Sequence, residues 1–187
     1  MSALAIRRGG GPPREGSFER LRTLLAGRLD AGQLRMVERA HATAAFWHRD
    51  QTRRSGDPYI THPVAVAAIL AGLGADHELL CAALLHDVLP DTACPAADLE
   101  RDFGGRIIAL TRDLDRLEEH ADVGWERADP RVLTLKLAHR LHNQRTMRWV
   151  APAKQRAKSL ETLQVYAPVA ARLGMRGARC SSRRCSG

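Results

Sequence analysis

The stretch Leu79-Leu80-Cys81-Ala82-Ala83-Leu84-Leu85-His86-Asp87-Val88-Leu89-Pro90-Asp91-Thr92 decides how this chain is read. Its first half, Leu79 to Leu85, is an unbroken apolar run that reads as a helix. At its end stand an imidazole and a carboxylate side by side, His86 and Asp87. Histidine nitrogen and carboxylate oxygen are ligands suited to manganese, iron or zinc. Such a pair rarely holds an ion alone, so further ligands are sought on other segments. His62 lies upstream in Tyr59-Ile60-Thr61-His62-Pro63, and His139 and His142 lie downstream in Lys136-Leu137-Ala138-His139-Arg140-Leu141-His142-Asn143.

At 187 residues the chain is long enough for one domain with a substantial core. Hydrophobic residues make up 44% and aromatics only 4%, a mix that favours helices packed through alanine and leucine over a sheet. The net charge of +8 suits an anionic ligand such as a nucleotide. Nucleic acid is disfavoured, because the charge is spread over Arg7-Arg8, Arg53-Arg54 and an Arg176 to Arg184 tail, with no zinc finger, helix-turn-helix signature or basic–aromatic interleaving. No apolar segment reaches the roughly 18 residues of a membrane span, and residues 1–17 read as a flexible leader without a signal-peptide core. The expected location is the cytoplasm. Cys81 reads as core, Cys94 as a turn residue, and Cys180 and Cys185 as tail residues; no thiol spacing points to structural zinc.

Helical spacing runs from Phe18 to Leu29 and from about Gln33 to Trp47, followed by a basic, turn-rich loop from Gln51 to Pro58. Pro63 fits the first turn of a third helix that reaches Leu73. Asp76 caps a fourth, expected to end near Val88 where Pro90-Asp91-Thr92 breaks it. Helices are then expected over Pro95–Phe103, Ile107–Glu119, Val132–Leu141 and, with a kink at Pro168, from near Lys158 to Leu173. Strand signals are essentially absent. The expected fold is all-α, a helical bundle, with residues 18–174 as the domain and 175–187 as a basic disordered tail.

Each candidate ligand has a bland reading. A histidine before proline at a helix start is often a cap or core residue, and an aspartate at a helix end often bonds local backbone. His41, His48, His77 and His120 have no partner pattern and read as surface or boundary residues. Three apolar helices each presenting a metal-capable side chain near one end is a stronger pattern, because bundles build metal sites from facing helices.

The order His, His-Asp, then a third polar ligand is that of an HD-type metal phosphohydrolase, and longer strings narrow the resemblance. Tyr59-Ile60-Thr61-His62-Pro63-Val64, Ala82-Ala83-Leu84-Leu85-His86-Asp87-Val88-Leu89-Pro90-Asp91-Thr92, Leu135-Lys136-Leu137-Ala138-His139-Arg140-Leu141-His142-Asn143-Gln144-Arg145-Thr146 and Glu161-Thr162-Leu163-Gln164-Val165-Tyr166-Ala167-Pro168 resemble, in order, segments of the hydrolase domain of the RelA/SpoT homologue family and its stand-alone small alarmone hydrolases. The resemblance spans about Gln33 to Gly174. It implies an HD-domain helical bundle that binds a divalent metal, manganese first, and removes the 3′-pyrophosphate of the guanine nucleotide (p)ppGpp. Carried over position by position, it implies His62, His86, Asp87 and His139 at the metal, Asp91 orienting the attacking water, and Arg53, Arg54, Ser55, Asn143 and Thr146 at the nucleotide.

Two departures bear on activity. The family's last metal ligand is an aspartate, replaced here by His139, whose neutral imidazole brings no charge and shifts preference toward zinc or iron. The glutamate of the family's acidic pair is replaced by Pro90, leaving Asp91 alone. The loop from about Glu118 to Arg131 is also shorter than in the family's long enzymes, and the synthetase half of those enzymes is missing after Gly174. These readings leave an enzyme, intact or impaired, as the first expectation. The alternatives are a degenerate HD domain that binds guanine nucleotide as a sensor or regulator, and an HD phosphohydrolase for another nucleotide.

Overall fold

The structure, a computed structural model, describes residues 17–119 and 128–174. Ten α-helices follow one another among these residues: α1 (Phe18–Leu25), α2 (Ala31–Trp47), α3 (Thr61–Gly72), α4 (His77–Leu85), α5 (Val88–Asp91), α6 (Ala96–Phe103), α7 (Gly105–Glu119), α8 (Pro130–Arg145), α9 (Pro152–Glu161) and α10 (Ala167–Arg172). A 3₁₀ turn, Met147–Trp149, precedes α9, and a π turn, Thr162–Tyr166, joins α9 to α10. The fold is all-α; among the described residues β pairing is limited to one isolated bridge, Thr52 to Pro58.

The apolar run explains the architecture. Asp76 caps α4 by accepting from the Leu79 amide at 2.9 Å, and every residue from Leu79 to Leu85 is buried. A helix apolar on all sides must be surrounded. Helices α2, α3, α7 and α8 pack around α4. Fully buried Ala40 and Ala44 on α2, Ala67 and Ala71 on α3, and Ala82 and Ala83 on α4 leave room for close approach of the axes. Leu80, Leu84 and Leu85 fill the centre with no exposed surface, and truncating one to alanine costs on the order of 2–5 kcal/mol.

Several boundaries differ from the sequence expectation for local reasons. The first helix stops at Leu25 rather than Leu29, because Gly27 turns the chain at φ 75°. The fourth helix ends at Leu85, before the His86-Asp87 doublet. Pro90 does not break it; Pro90 sits in the first turn of α5, where a missing N–H costs nothing. The eighth begins at Pro130, capped by Asp129, and runs through His142 to Arg145. The last predicted helix is two, beginning at Pro152, and the wider π turn takes up the strain expected from Pro168.

The carboxy-terminal pair is fastened to α8 by polar groups. Arg140 donates to Thr162 Oγ1 at 2.8 Å and to Glu161 Oε2 at 2.9 Å, and its guanidinium lies 4.6 Å from the Tyr166 ring centroid. Cys81 is buried in the core as expected, and Cys94 is buried as well. The leader (apart from Ser17), the tail with Cys180 and Cys185, and His120 with most of the expected loop lie outside the described residues. No helix among the described residues is long and apolar enough to cross a membrane.

Candidate metal centre

The start of α3, the end of α4 and the carboxy-terminal half of α8 meet here. His62 stands in the first turn of α3, His86 caps the end of α4, and His139 projects from α8. Their rings lie 5.0–5.3 Å apart, centroid to centroid. One ring nitrogen from each falls within 4.8 Å of the others. Asp87, next to His86, adds its carboxylate: Oδ1 is 3.1 Å from His86 Nε2 and Oδ2 is 3.7 Å from His62 Nε2. The four side chains named from the sequence therefore converge.

Their protonation is set by the groups behind them. His86 Nδ1 lies 2.7 Å from the Ala83 carbonyl, which can only accept, so Nδ1 carries the proton and Nε2 keeps its lone pair. That Nε2 is buried without a hydrogen-bond partner, since Asp87 Oδ1 is close but not aligned for one. A buried lone pair without a donor is costly unless something fills the space in front of it. His139 Nδ1 is 3.1 Å from Glu118 Oε1 and its Nε2 is 3.0 Å from Asn143 Nδ2. His62 Nδ1 lies 2.8 Å from His142 Nδ1, so one ring donates to the other.

Burial disfavours the charged forms of His62, His139 and His142. His62 titrates well below the ordinary histidine range, chiefly through desolvation and then the neighbouring histidines and Arg53. His139 is lowered by burial despite the opposing pull of Glu118. His142 is lowered to about 4 by burial, with Arg53 adding to the shift. Glu118 runs the other way: desolvation raises it, but the His139 hydrogen bond and the Lys136 ammonium outweigh this and bring it down to about 2. Three imidazoles and one carboxylate are a donor set for a divalent transition metal, and the unpartnered His86 Nε2 gives such an ion a place to bind.

Beside the cluster lies a polar edge. The Tyr59 hydroxyl stands 3.0 Å from Asp87 Oδ2 and 2.7 Å from Asp91 Oδ2, one proton shared between two carboxylates. Burial, then these carboxylates, raises the Tyr59 pKa far above its usual value. The Gln51 amide donates to the Asp91 carbonyl at 2.8 Å, and Gln51 Oε1 is 2.8 Å from His48 Nδ1. His48 is buried and stacks on Tyr59 at 4.6 Å, so its reading as a surface or boundary residue is corrected: the aromatic neighbour in the following loop covers it. An open groove of about 650 Å³ passes Asp91, lined also by Trp47, Arg49, Pro90 and Thr92.

The expected nucleotide residues separate. Arg53 lies over the Tyr59 ring at 5.2 Å, and its charge is felt by His62 and His142. Arg54 is exposed. The Ser55 hydroxyl is tied to Asp57 Oδ2 at 2.7 Å, inside the turn made by Gly56 at φ 85°. Asn143 touches the cluster through His139, whereas the Thr146 hydroxyl is turned back to the carbonyls of His142 and Asn143. Reasoning from sequence missed Tyr59, Gln51, His48 and Glu118 as partners. His142, named beside His139 in the sequence, pairs with His62. Glu118 comes from another helix, and no local pattern announces it.

The chain matches the family model described as HD domain over residues 40–127 and 126–176. It is 48% identical over 160 residues to a GTP pyrophosphokinase of Streptomyces coelicolor, covering 79% of this chain and 19% of that protein. It is 40% identical over 172 residues to the bifunctional (p)ppGpp synthase/hydrolase SpoT of Escherichia coli, covering 84% of this chain and 24% of that protein. The chain thus spans about a fifth to a quarter of the length of these relatives. A solved structure described as a metazoan ortholog of SpoT that hydrolyzes ppGpp superposes with a TM-score of 0.60 at 24% identity, covering 82% of this chain and 99% of that one; at that identity it speaks for the fold alone. The chain belongs to the HD-domain family, and within it is similar to the RelA and SpoT proteins.

Proposed function

We propose that this domain, residues 18–174, hydrolyses the 3′-pyrophosphate of (p)ppGpp with a divalent cation held by His62, His86, Asp87 and His139. The observation that carries the reading is the buried convergence of three histidine nitrogens within 4.8 Å beside a carboxylate, with the His86 Nε2 lone pair left without a partner. A divalent cation there would lower the pKa of a water and shield the charge of the pyrophosphate under attack. The overall reaction adds water across the bond between the 3′ oxygen and phosphorus, releasing pyrophosphate and restoring the 3′ hydroxyl. Asp91, exposed at the groove and hydrogen-bonded to Tyr59, orients that water or takes its proton. Tyr59 holds Asp87 and Asp91 in register.

Arg53 is the best placed of the basic residues for a phosphate or a stacked guanine, because Tyr59 already supports its guanidinium at the cluster's edge. Arg54, Ser55, Asn143 and Thr146 complete the nucleotide side in this proposal. Manganese is the first cation to test, in a cytoplasmic setting with free nucleotide as the partner. A second reading rests on Pro90, which lines the groove next to Asp91 and supplies no carboxylate there. Under it the domain binds the guanine nucleotide without turnover.

Pyrophosphate release from ppGpp, measured on purified protein with added Mn²⁺, separates the two. Hydrolysis is expected in the wild type and absent in His86→Ala. Saturable ppGpp binding without pyrophosphate release would overturn the enzyme reading in favour of the binding module.

A further inference from the structure

Glu118, in the last turn of α7, reaches across to α8 and places one oxygen, Oε1, against both His139 Nδ1 at 3.1 Å and the Lys136 ammonium. Lys136 and His139 lie one turn apart on α8, and both side chains are largely enclosed, at 8% and 15% exposure. A carboxylate can only accept, so a neutral His139 must carry its proton on Nδ1 and keep its lone pair on Nε2. That is the tautomer in which His139 Nε2 can serve as a ligand, and one ring nitrogen from each of His62, His86 and His139 lies within 4.8 Å of the others. In that tautomer Nε2 accepts from the Asn143 amide nitrogen at 3.0 Å, a bond that a cation would replace; without a carboxylate behind it, the ring would be free to turn or to take the other tautomer. A carboxylate behind a histidine ligand also raises its basicity. Lys136 anchors the carboxylate and offsets part of its charge, so orientation and basicity are the larger effects.

We infer that Glu118 is the positioning residue of the metal centre, fixing His139 with Nδ1 protonated and Nε2 presented to the cation. The inference rests on the reading of His139 as a ligand and is independent of which nucleotide the site accepts. It assigns a cause to the competence of a histidine where, among the described residues, Asp87 is the carboxylate set directly beside the cluster.

The test uses the full chain, stripped with chelator and titrated with Mn²⁺ alone by calorimetry. Glu118→Ala is expected to weaken Mn²⁺ binding about 10–100-fold, and Glu118→Gln, which still accepts a hydrogen bond, by less. In a His139→Asp background the same Glu118→Ala change is expected to have no effect, because a carboxylate ligand has no tautomer to fix. Nitrogen-15 NMR of the stripped wild type should show His139 with an unprotonated Nε2, and the glutamine variant and this spectrum carry the test if Glu118→Ala fails to fold. Four results would overturn the inference: unchanged Mn²⁺ affinity in both Glu118 variants, an equal loss in the His139→Asp background, a protonated His139 Nε2 in the wild type, or a wild type that binds no Mn²⁺. Parallel assays of ppGpp keep the readings distinct. Metal binding that depends on Glu118, with no pyrophosphate released, sinks the hydrolase reading and leaves this one standing.

Discussion

The histidine cluster and the loop from Gln51 to Tyr59 lie side by side, and they are built in opposite ways. The cluster draws its histidines from three packed helices, and burial lowers the pKa of His62 and His139. The loop is half-exposed, has a single bridge, Thr52 to Pro58, and is held by the amide of Arg53 to the Asp57 carbonyl at 2.8 Å and that of Tyr59 to the Gln51 carbonyl at 3.0 Å. Where helices fix the geometry, the groups can be left partly unsatisfied, as His86 Nε2 is. Where a loop must place a charge, the charge leans on a ring, as Arg53 leans on Tyr59. The rigid region is suited to holding a cation and the looser one to accommodating a ligand that arrives and leaves.

Mutations should therefore separate the two regions. The largest effect is expected from His86→Ala, which removes the lone pair at the centre. Pyrophosphate release should fall by more than about 100-fold, beyond the usual range for a group behind the ligands, with loss of bound metal on elemental analysis. Arg53→Ala should leave the metal in place and raise KM by about 10–100-fold with little change in kcat, as expected for one lost charge-assisted contact to substrate. Should Arg53→Ala empty the metal centre instead, the division between the regions fails. Tyr59→Phe, which joins them, should lower kcat about 10-fold through loss of the hydroxyl between Asp87 and Asp91, with KM nearly constant.

The smallest effect is in the pH dependence of the metal-free protein. The folded-state pKa values of His62, His139 and His142 are depressed, so below the unfolded value of about 6.5 the unfolded chain binds more protons. Stability is then full above about pH 7 and declines as pH falls from 6.5, for His142 toward about 4, by at most about 1.4 kcal/mol per histidine per pH unit. Thermal melts in chelator between pH 8 and pH 4.5 check this. A melting temperature that rises on acidification would mean that the histidines are charged in the fold.

The sequence made the cluster legible because its parts sit on strong helical signals. The Leu79–Leu85 run can only be a surrounded helix, and a doublet at its end has a fixed place. Boundaries were read less well: Pro90 looked like a breaker, whereas a first helical turn tolerates proline, so the chain bends at His86-Asp87 instead. The partners behind the ligands were the hardest to see. Glu118 is 21 residues from His139, and His48 is covered by Tyr59 from the next loop. Both pairings arise from how elements pack, and no spacing along one element encodes them. Arg53 and Arg54 look equivalent in sequence, yet only Arg53 meets the Tyr59 ring.

The central claim is that His62, His86, Asp87 and His139 enclose one divalent cation. A crystal of the full chain soaked in Mn²⁺, with data collected at the manganese edge, tests it most directly. A single anomalous peak among those four side chains is the predicted result. No peak, or a peak bound elsewhere with the four left apart from it, would contradict the account.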